Sequence, residues 1–454
     1  MTLRFGSLLL AVGILCSVFA RAQNDTGTSD NTAPVQPGPK PAFTYPDASP
    51  SLDFLNPALE NSSITLGIGA GFTYDSNAYS YISSNQDFWL FHVTPSIKIQ
   101  EFRPHLSWNI YYAPGYQAYT RISGPANSND NLFSQRASGG FLWQLARRWQ
   151  LSGSDNFTYS ANPFDSFLTT PGTPTMNNPN PLIYSPLSQY TLNYGLLTLT
   201  NQLSKVDTLT FTGTANYRNT STYNLVTSVP FYNLISYGGR VDYSHQFSPR
   251  LSLGTGYDFN SLDFGAGQQR SGIQTISITC SYLIRPNMTI SGWVGPEYTS
   301  TKTVLAIPIP PLSQTFYSSL WSTSLGANFS WQGRRNSVRA GFSRQVSDGG
   351  GILATTQVNA VNGDYHRMII PKMSIVVGAR YFHDVSTTVS SRSYSNVYLN
   401  ASLTYTLAKS LTATGTYGYV HQTQSNTILI GTANYNANIV GASINYTWNH
   451  PLGR

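Results

Sequence analysis

The chain has 454 residues, of which 40% are hydrophobic and 13% aromatic, but only 10% are Asp, Glu, Lys or Arg, against roughly a quarter in an ordinary soluble domain. No run of roughly 18 apolar residues follows the signal-like start, which excludes a polytopic helical membrane protein, and 30 Tyr, 22 Phe and 8 Trp exclude disorder over most of the length. The composition that remains, polar on average with many aromatics and few charges, is that of a transmembrane β-barrel, whose strands alternate lipid-facing apolar residues with lumen-facing polar ones.

In chain order, residues 1–22 read as a signal peptide. Arg4 precedes an apolar stretch from Leu8 to Ala20, and Ala20-Arg21-Ala22 presents small residues for cleavage before Gln23. Cys16 falls inside the apolar stretch, and Gly13-Ile14-Leu15 lacks the small residues that precede a lipidated cysteine. Cleavage would leave Cys280 alone, without an intrachain disulfide, and 24 cations against 19 acids. Residues 23–61 are polar and then proline-rich, with Pro34, Pro37, Pro39, Pro41, Pro46, Pro50 and Pro57, and predict a semi-extended periplasmic leader.

Residues 62–454 predict the barrel. In Thr275 to Ile284 the residues Ile276, Ile278, Cys280, Tyr282 and Ile284 share one face, while Thr275, Ser277, Thr279 and Ser281 share the other. Leu209 to Arg218 and Asn396 to Leu407 repeat the pattern, and helical periodicity fails in all three. A soluble β-sandwich would also alternate, so the connections decide. Eight short turns lie at Phe102-Arg103-Pro104, Arg147-Arg148, Lys205-Val206-Asp207, Ser248-Pro249-Arg250, Arg285-Pro286-Asn287, Gly333-Arg334-Arg335, Pro371-Lys372 and Ala408-Lys409-Ser410. Nine longer connections fall between them, among them Ser160 to Ser188, Thr301 to Thr315 and Asp348 to Ala354. Alternation of short periplasmic turns with long extracellular loops is the pattern of an outer-membrane barrel, here an all-β, antiparallel barrel of about 18 strands, the last from about Ala437 to Trp448.

Asp155 breaks the pattern. It shares parity with Leu151, Phe157 and Tyr159, so it faces lipid unless a bulge or a displaced strand boundary turns it inward.

The stretch Gly69-Ala70-Gly71-Phe72-Thr73-Tyr74-Asp75-Ser76-Asn77, closing the first strand, together with the repeated hairpins, resembles the outer-membrane β-barrel porins of the beta-barrel porin 2 type, often associated with exopolysaccharide systems. The resemblance runs from about Ser62 to the end. It implies the outer membrane of a Gram-negative bacterium, reached by Sec-type export and the barrel-assembly machinery, and saccharide export. The chain departs from outer-membrane barrels at large in ending Trp448-Asn449-His450-Pro451-Leu452-Gly453-Arg454 rather than on an aromatic residue; Trp448 with a short tail would take that role.

Catalytic and metal signatures are absent from the sequence, which predicts no enzyme, no cofactor and no nucleic-acid partner. There is no H-E-x-x-H, no His/Cys cluster with metal spacing and no G-x-S-x-G elbow. Gly67, Gly69 and Gly71 relieve crowding on one strand face. Asp75, Ser76, Asn77 and Asp87 offer oxygens for calcium, but Asp and Asn favour turns on their own account.

Two charge arrangements are informative. Arg103, Arg147, Arg148, Lys205, Arg250, Arg285, Arg334, Arg335, Lys372 and Lys409 crowd the short turns, where they would anchor the barrel in anionic lipid headgroups or select solutes. Arg218, Arg240, Asp242, Asp258, Arg339 and Arg380 lie on hydroxylated faces, either lining a pore or pairing across the wall; Arg240 and Asp242 are same-face neighbours. The expected function is a channel for polar or anionic solutes. The alternative is a structural or adhesive barrel with an occluded lumen and partner-binding loops, and a barrel enzyme with a dispersed catalytic cluster is a third reading.

Overall fold

The computed structural model describes residues 62–76, 87–121, 132–160, 188–222, 233–265, 267–306, 313–349, 354–387, 393–425 and 435–452. The proposed signal peptide and leader lie outside them. Eighteen strands account for nearly all of these residues. The first six are β1 (Ser63–Asp75), β2 (Phe88–Phe102), β3 (Leu106–Arg121), β4 (Leu132–Ala146), β5 (Trp149–Ser160) and β6 (Ser188–Gln202). There follow β7 (Asp207–Thr222), β8 (Leu234–Gln246), β9 (Leu251–Phe264), β10 (Gln269–Arg285), β11 (Met288–Ala306) and β12 (Ser313–Gln332). The last six are β13 (Asn336–Ser347), β14 (Thr356–Ile370), β15 (Met373–Ser386), β16 (Ser393–Ala408), β17 (Leu411–Ser425) and β18 (Tyr435–Pro451).

Each strand pairs antiparallel with its sequence neighbours, and β1 closes on β18 from Ser63↔Pro451 to Asp75↔Ile439. The result is a closed 18-stranded transmembrane barrel of the outer-membrane type. Closure follows from the solvent: hydrocarbon offers no partner to a free N–H or C=O, so only a sheet without edges can cross it. The strands, 12 to 20 residues long, exceed the roughly 9–11 residues that a tilted crossing needs, and their ends project into water.

The alternation read from sequence becomes an inside and an outside. On β1 the residues Leu66, Ile68 and Phe72 are 43%, 50% and 39% exposed on the outer face, while Thr65, Gly67, Gly69, Gly71 and Thr73 face the lumen. Ile276 and Ile278 on β10 point outward and Ser277 and Thr279 inward. Outward aromatics gather near both ends. Trp143, Trp149 and Trp448 stand near the short turns. At the opposite end Trp89 packs between Phe72 and Tyr74, and Tyr298 against Trp321 at 4.9 Å, as side chains with an apolar ring and a polar edge favour the membrane interface.

All eight expected short turns are present, tightened by local hydrogen bonds. Ser204 Oγ accepts the Val206 and Asp207 N–H groups, and Ser248 Oγ those of Arg250 and Leu251. The opposite rim is less uniform than the sequence predicts. One of its nine connections, between β9 and β10, is a tight turn in which Gly265 (φ 59°) and Gly267 (φ 95°) supply left-handed backbone. The β11–β12 hairpin also extends further than expected, to Ala306 and Ser313, and β18 begins at Tyr435.

The wall departs from uniform pairing between β12 and β13. These strands pair only from Leu325↔Arg344 to Gln332↔Ser337, although β11 follows β12 up to Ala306↔Ser313. Above Arg344 the end of β13 turns into the lumen. Val346, outward by parity, is buried with the inward-facing Leu234, Leu262, Phe264 and Ile273 of β8, β9 and β10. Arg344 itself points outward and hydrogen-bonds the Gln357 side chain, which marks this level as water-accessible and makes the unpaired edge of β12 tolerable.

Gly295 on β11 is fixed by packing of a different kind: a Cβ there would overlap the Ile276 carbonyl of β10, a backbone atom unable to move aside. A Cβ on outward Gly213 would meet nothing within 4 Å. Gly295→Ala should therefore lower stability by about 1–3 kcal/mol in urea unfolding from lipid vesicles, and Gly213→Ala should be near neutral.

Candidate functional site: the barrel lumen

The inner wall divides into two zones. Toward the short turns its residues are partly open, with Thr198, Ser244, Ser252 and Thr404 half-buried and Arg339, His366 and Thr447 exposed. Toward the opposite rim the inward side chains Leu90, Tyr190, Leu234, Phe264, Phe382 and Tyr394 are fully buried. Among the described residues the inner wall is thus more open toward the short turns and closely packed in the far half.

The inturned end of β13 is held at three points. Arg218 Nη1, on β7, donates to Asp348 Oδ2 at 2.7 Å, with both side chains largely buried. The Val346 N–H donates to Glu297 Oε1 of β11 at 3.0 Å, and Ser322 Oγ donates to the same oxygen at 2.7 Å. Thr355, just before β14, bonds Ser271 Oγ at 2.6 Å and receives the Gln269 side-chain amide at 3.3 Å. The contacts tie the β13–β14 end to β7, β10 and β11, none of which is its ladder neighbour.

A polar belt crosses β8 to β11 and shares Glu297 with these ties. Arg240, Asp258, Thr275 and Glu297 are successive register partners. Asp242 binds Arg240 through two hydrogen bonds, Nε to Oδ2 at 2.6 Å and Nη2 to Oδ1 at 2.7 Å, a fork that fixes the buried guanidinium. Further round the wall, Arg339 is the register partner of Asp364, and Arg380 that of Asn362. Lys98 of β2 and Arg136 of β4 share the inward parity of Thr65 and Thr158.

All six lumen charges singled out from sequence therefore stand on the inner face. The structure brings Arg240, Asp242 and Asp258 together, and sets Arg339 and Arg380 near Asp364. Arg218 stands apart and holds β13. Lys98, Arg136 and Asp364 were missed although the same parity test finds them. Glu297 and Asp348 matter through partners 49 and 130 residues away, and no local pattern signals that. The calcium reading finds no converging geometry: Asp75 faces the lumen, Asp87 accepts the outward Tyr74 hydroxyl at 2.8 Å, and Ser76 Oγ accepts the Asn438 N–H. Asn77 lies outside the described residues. Asp155 stays on the outer face, because β5 pairs with β6 without a bulge and its one irregularity against β4 lies at the turn, at Gln144/Ala146.

The ten short-turn cations are all exposed on one rim. Arg103 Nε is tethered to Glu101 at 2.6 Å, and Arg148 to the Leu203 carbonyl at 3.2 Å. On the same rim, outside the apolar band, Asp207 gathers the hydroxyl of Ser204, His245 Nδ1 at 2.7 Å and the Tyr243 hydroxyl at 2.7 Å. The Ser204 hydrogen bond, followed by those of His245 and Tyr243, lowers the carboxyl from 3.8 to about 2.

No family model matches the chain, and no curated protein matches it in sequence. Among solved structures it is similar to Pseudomonas aeruginosa OpdQ, at 10% identity over 86% of this chain and 99% of that one, with a TM-score of 0.41. It is similar to Acinetobacter baumannii OccAB2 at 13% identity over 86% and 98% of the two chains, TM-score 0.41. A third is P. aeruginosa OccK2 (OpdF) in complex with glucuronate, at 10% identity over 86% and 99%, TM-score 0.41. At such distance the function of this barrel has to be read from its own wall.

Because the Asp207 carboxyl is depressed, its contribution to stability is present above the ordinary value of 3.8 and lost as pH falls toward about 2. Asp207→Asn should remove the part of the barrel's acid sensitivity that falls in this window, measured as the unfolding midpoint in urea against pH.

Proposed function

We propose that the chain is an outer-membrane channel for polar solutes, with a basic periplasmic mouth and a narrowed outer half. The observation that carries this reading is the partition of one wall: apolar side chains outside, hydroxyl, amide and paired ionic groups inside, with the inner zone more exposed toward the short turns. Barrels of 16 to 18 strands are wide enough to leave an aqueous passage. An antiparallel barrel with short turns on one rim is oriented with that rim toward the periplasm.

Selectivity in this reading arises at two levels. The lumen wall carries both signs close together and exerts little net preference. The ten-cation rim raises the local concentration of anions at the periplasmic mouth. A lining rich in Thr, Ser and Asn also suits saccharides, the class implied by the resemblance to exopolysaccharide-associated porins, and passage would then be outward. A second reading, the occluded structural barrel, is favoured by one observation, the burial of the inward side chains in the outer half.

Conductance separates them. In planar bilayers the wild type should show small, discrete steps. Asp348→Ala and Arg218→Ala should each enlarge the step or the open fraction, and the double variant should match the single ones because both remove the same tie. Absence of conductance in all four proteins would favour the occluded barrel. Changing Arg147 and Arg148 together to Gln should reduce anion preference, read as a shift in reversal potential under a salt gradient.

A further inference from the structure

Asp155 is the seventh of the twelve residues of β5 and stands exposed on the lipid-facing side. Its register partners are Gly139 on β4 and Gly195 on β6. One rung away on the same face of β6 lies Asn193, the partner of Phe157. Neither Asp155 nor Asn193 has a hydrogen-bond or ion-pair partner among the described residues. Elsewhere the middle of the outer wall carries side chains such as Leu197, Ile276, Val377 and Leu399, so a carboxylate and an amide together are exceptional.

The wall is also hollowed at this place. A Cβ on Gly213 or Gly239 would meet nothing within 4 Å, and one on Gly195 would meet only the Asp155 carboxylate and the Ala215 carbonyl oxygen. Acyl chains can fill such a depression, but they offer no hydrogen bond to the polar pair at its edge, and unpartnered polar groups in hydrocarbon are costly.

We propose that this patch is an interface between two copies of the chain, packed about a two-fold axis along the membrane normal, with each Asp155 accepting a hydrogen bond from Asn193 of the other copy. The patch is complementary to itself. An axis running between β5 and β6 sets each β5 against the other copy's β6, which makes the contact reciprocal and closed at two subunits. Gly139 and Gly195, the register partners of Asp155 on β4 and β6, let two convex walls approach closely beside the axis, as small residues do between transmembrane helices. A partner of another kind would need to supply the donor from a different surface, and the reciprocity would then have no use.

Disulfide trapping of the full-length protein in its native membrane tests the proposal. In a chain with Cys16→Ser and Cys280→Ser, Gly195→Cys should form a disulfide-linked homodimer under mild oxidation, while Ala401→Cys, outward on β16, should not. Adding Asp155→Leu to the Gly195→Cys chain should lower the dimer by about tenfold, the equilibrium effect of roughly 1.4 kcal/mol. Heat-modifiable migration on gels would confirm that the barrel is still folded. Equal trapping at both positions, a dimer indifferent to Asp155→Leu in a folded barrel, or trapping of a different protein at Gly195 would each overturn the proposal.

Discussion

A backbone in hydrocarbon must satisfy every N–H and C=O from its own chain, and the β1–β18 closure is where this barrel meets that condition. Without the register from Ser63↔Pro451 to Asp75↔Ile439, two strand edges would face lipid. Closure in turn fixes the alternation of side chains, because one face of every strand then meets acyl chains and the other meets water. The low charge of the sequence follows. Half of the wall has no use for ionic groups, and the other half uses hydroxyls and amides for most of its polarity.

The exception obeys the same constraint. β13 leaves β12 above Arg344, at a level where an outward cation shows that water reaches the wall. There the backbone is free to exchange sheet partners for side-chain ones, and Glu297 takes up the Val346 N–H that the ladder has released. The inturned strand end then becomes the structural link between wall and lumen. Its tie to Arg218 couples two strands that are not neighbours in the sheet through one buried ion pair. Breaking such a pair leaves an uncompensated charge, which costs more than the pair gains, so the inturned strand end is held by a contact that is costly to break.

Much of this was legible in the sequence, for a physical reason. Strand identity, the eight short turns and the inward set Arg218, Arg240, Asp242, Asp258, Arg339 and Arg380 depend on period-2 alternation and local turn chemistry, both readable within a dozen residues. The bidentate Arg240–Asp242 pair was visible as a two-residue spacing. The inward turn of β13 was not, since Val346 has an ordinary outward parity and is redirected by contacts with β8, β9 and β10. The β9–β10 turn was hidden in a rim of otherwise long connections, where only Gly265 and Gly267 mark it. Asp155 was recognised as an anomaly, and the register of β5 shows that it is a real one.

The division of a single wall between lipid and lumen is tested most directly by thiol labelling along β16. In a chain without its native cysteines, single cysteines from Asn400 to Leu407 would be probed with a membrane-impermeant maleimide in outer-membrane vesicles. Labelling should alternate, strong at Asn400, Ser402, Thr404 and Thr406 and weak at Ala401, Leu403, Tyr405 and Leu407. Uniform labelling, or alternation of opposite phase, would contradict the account.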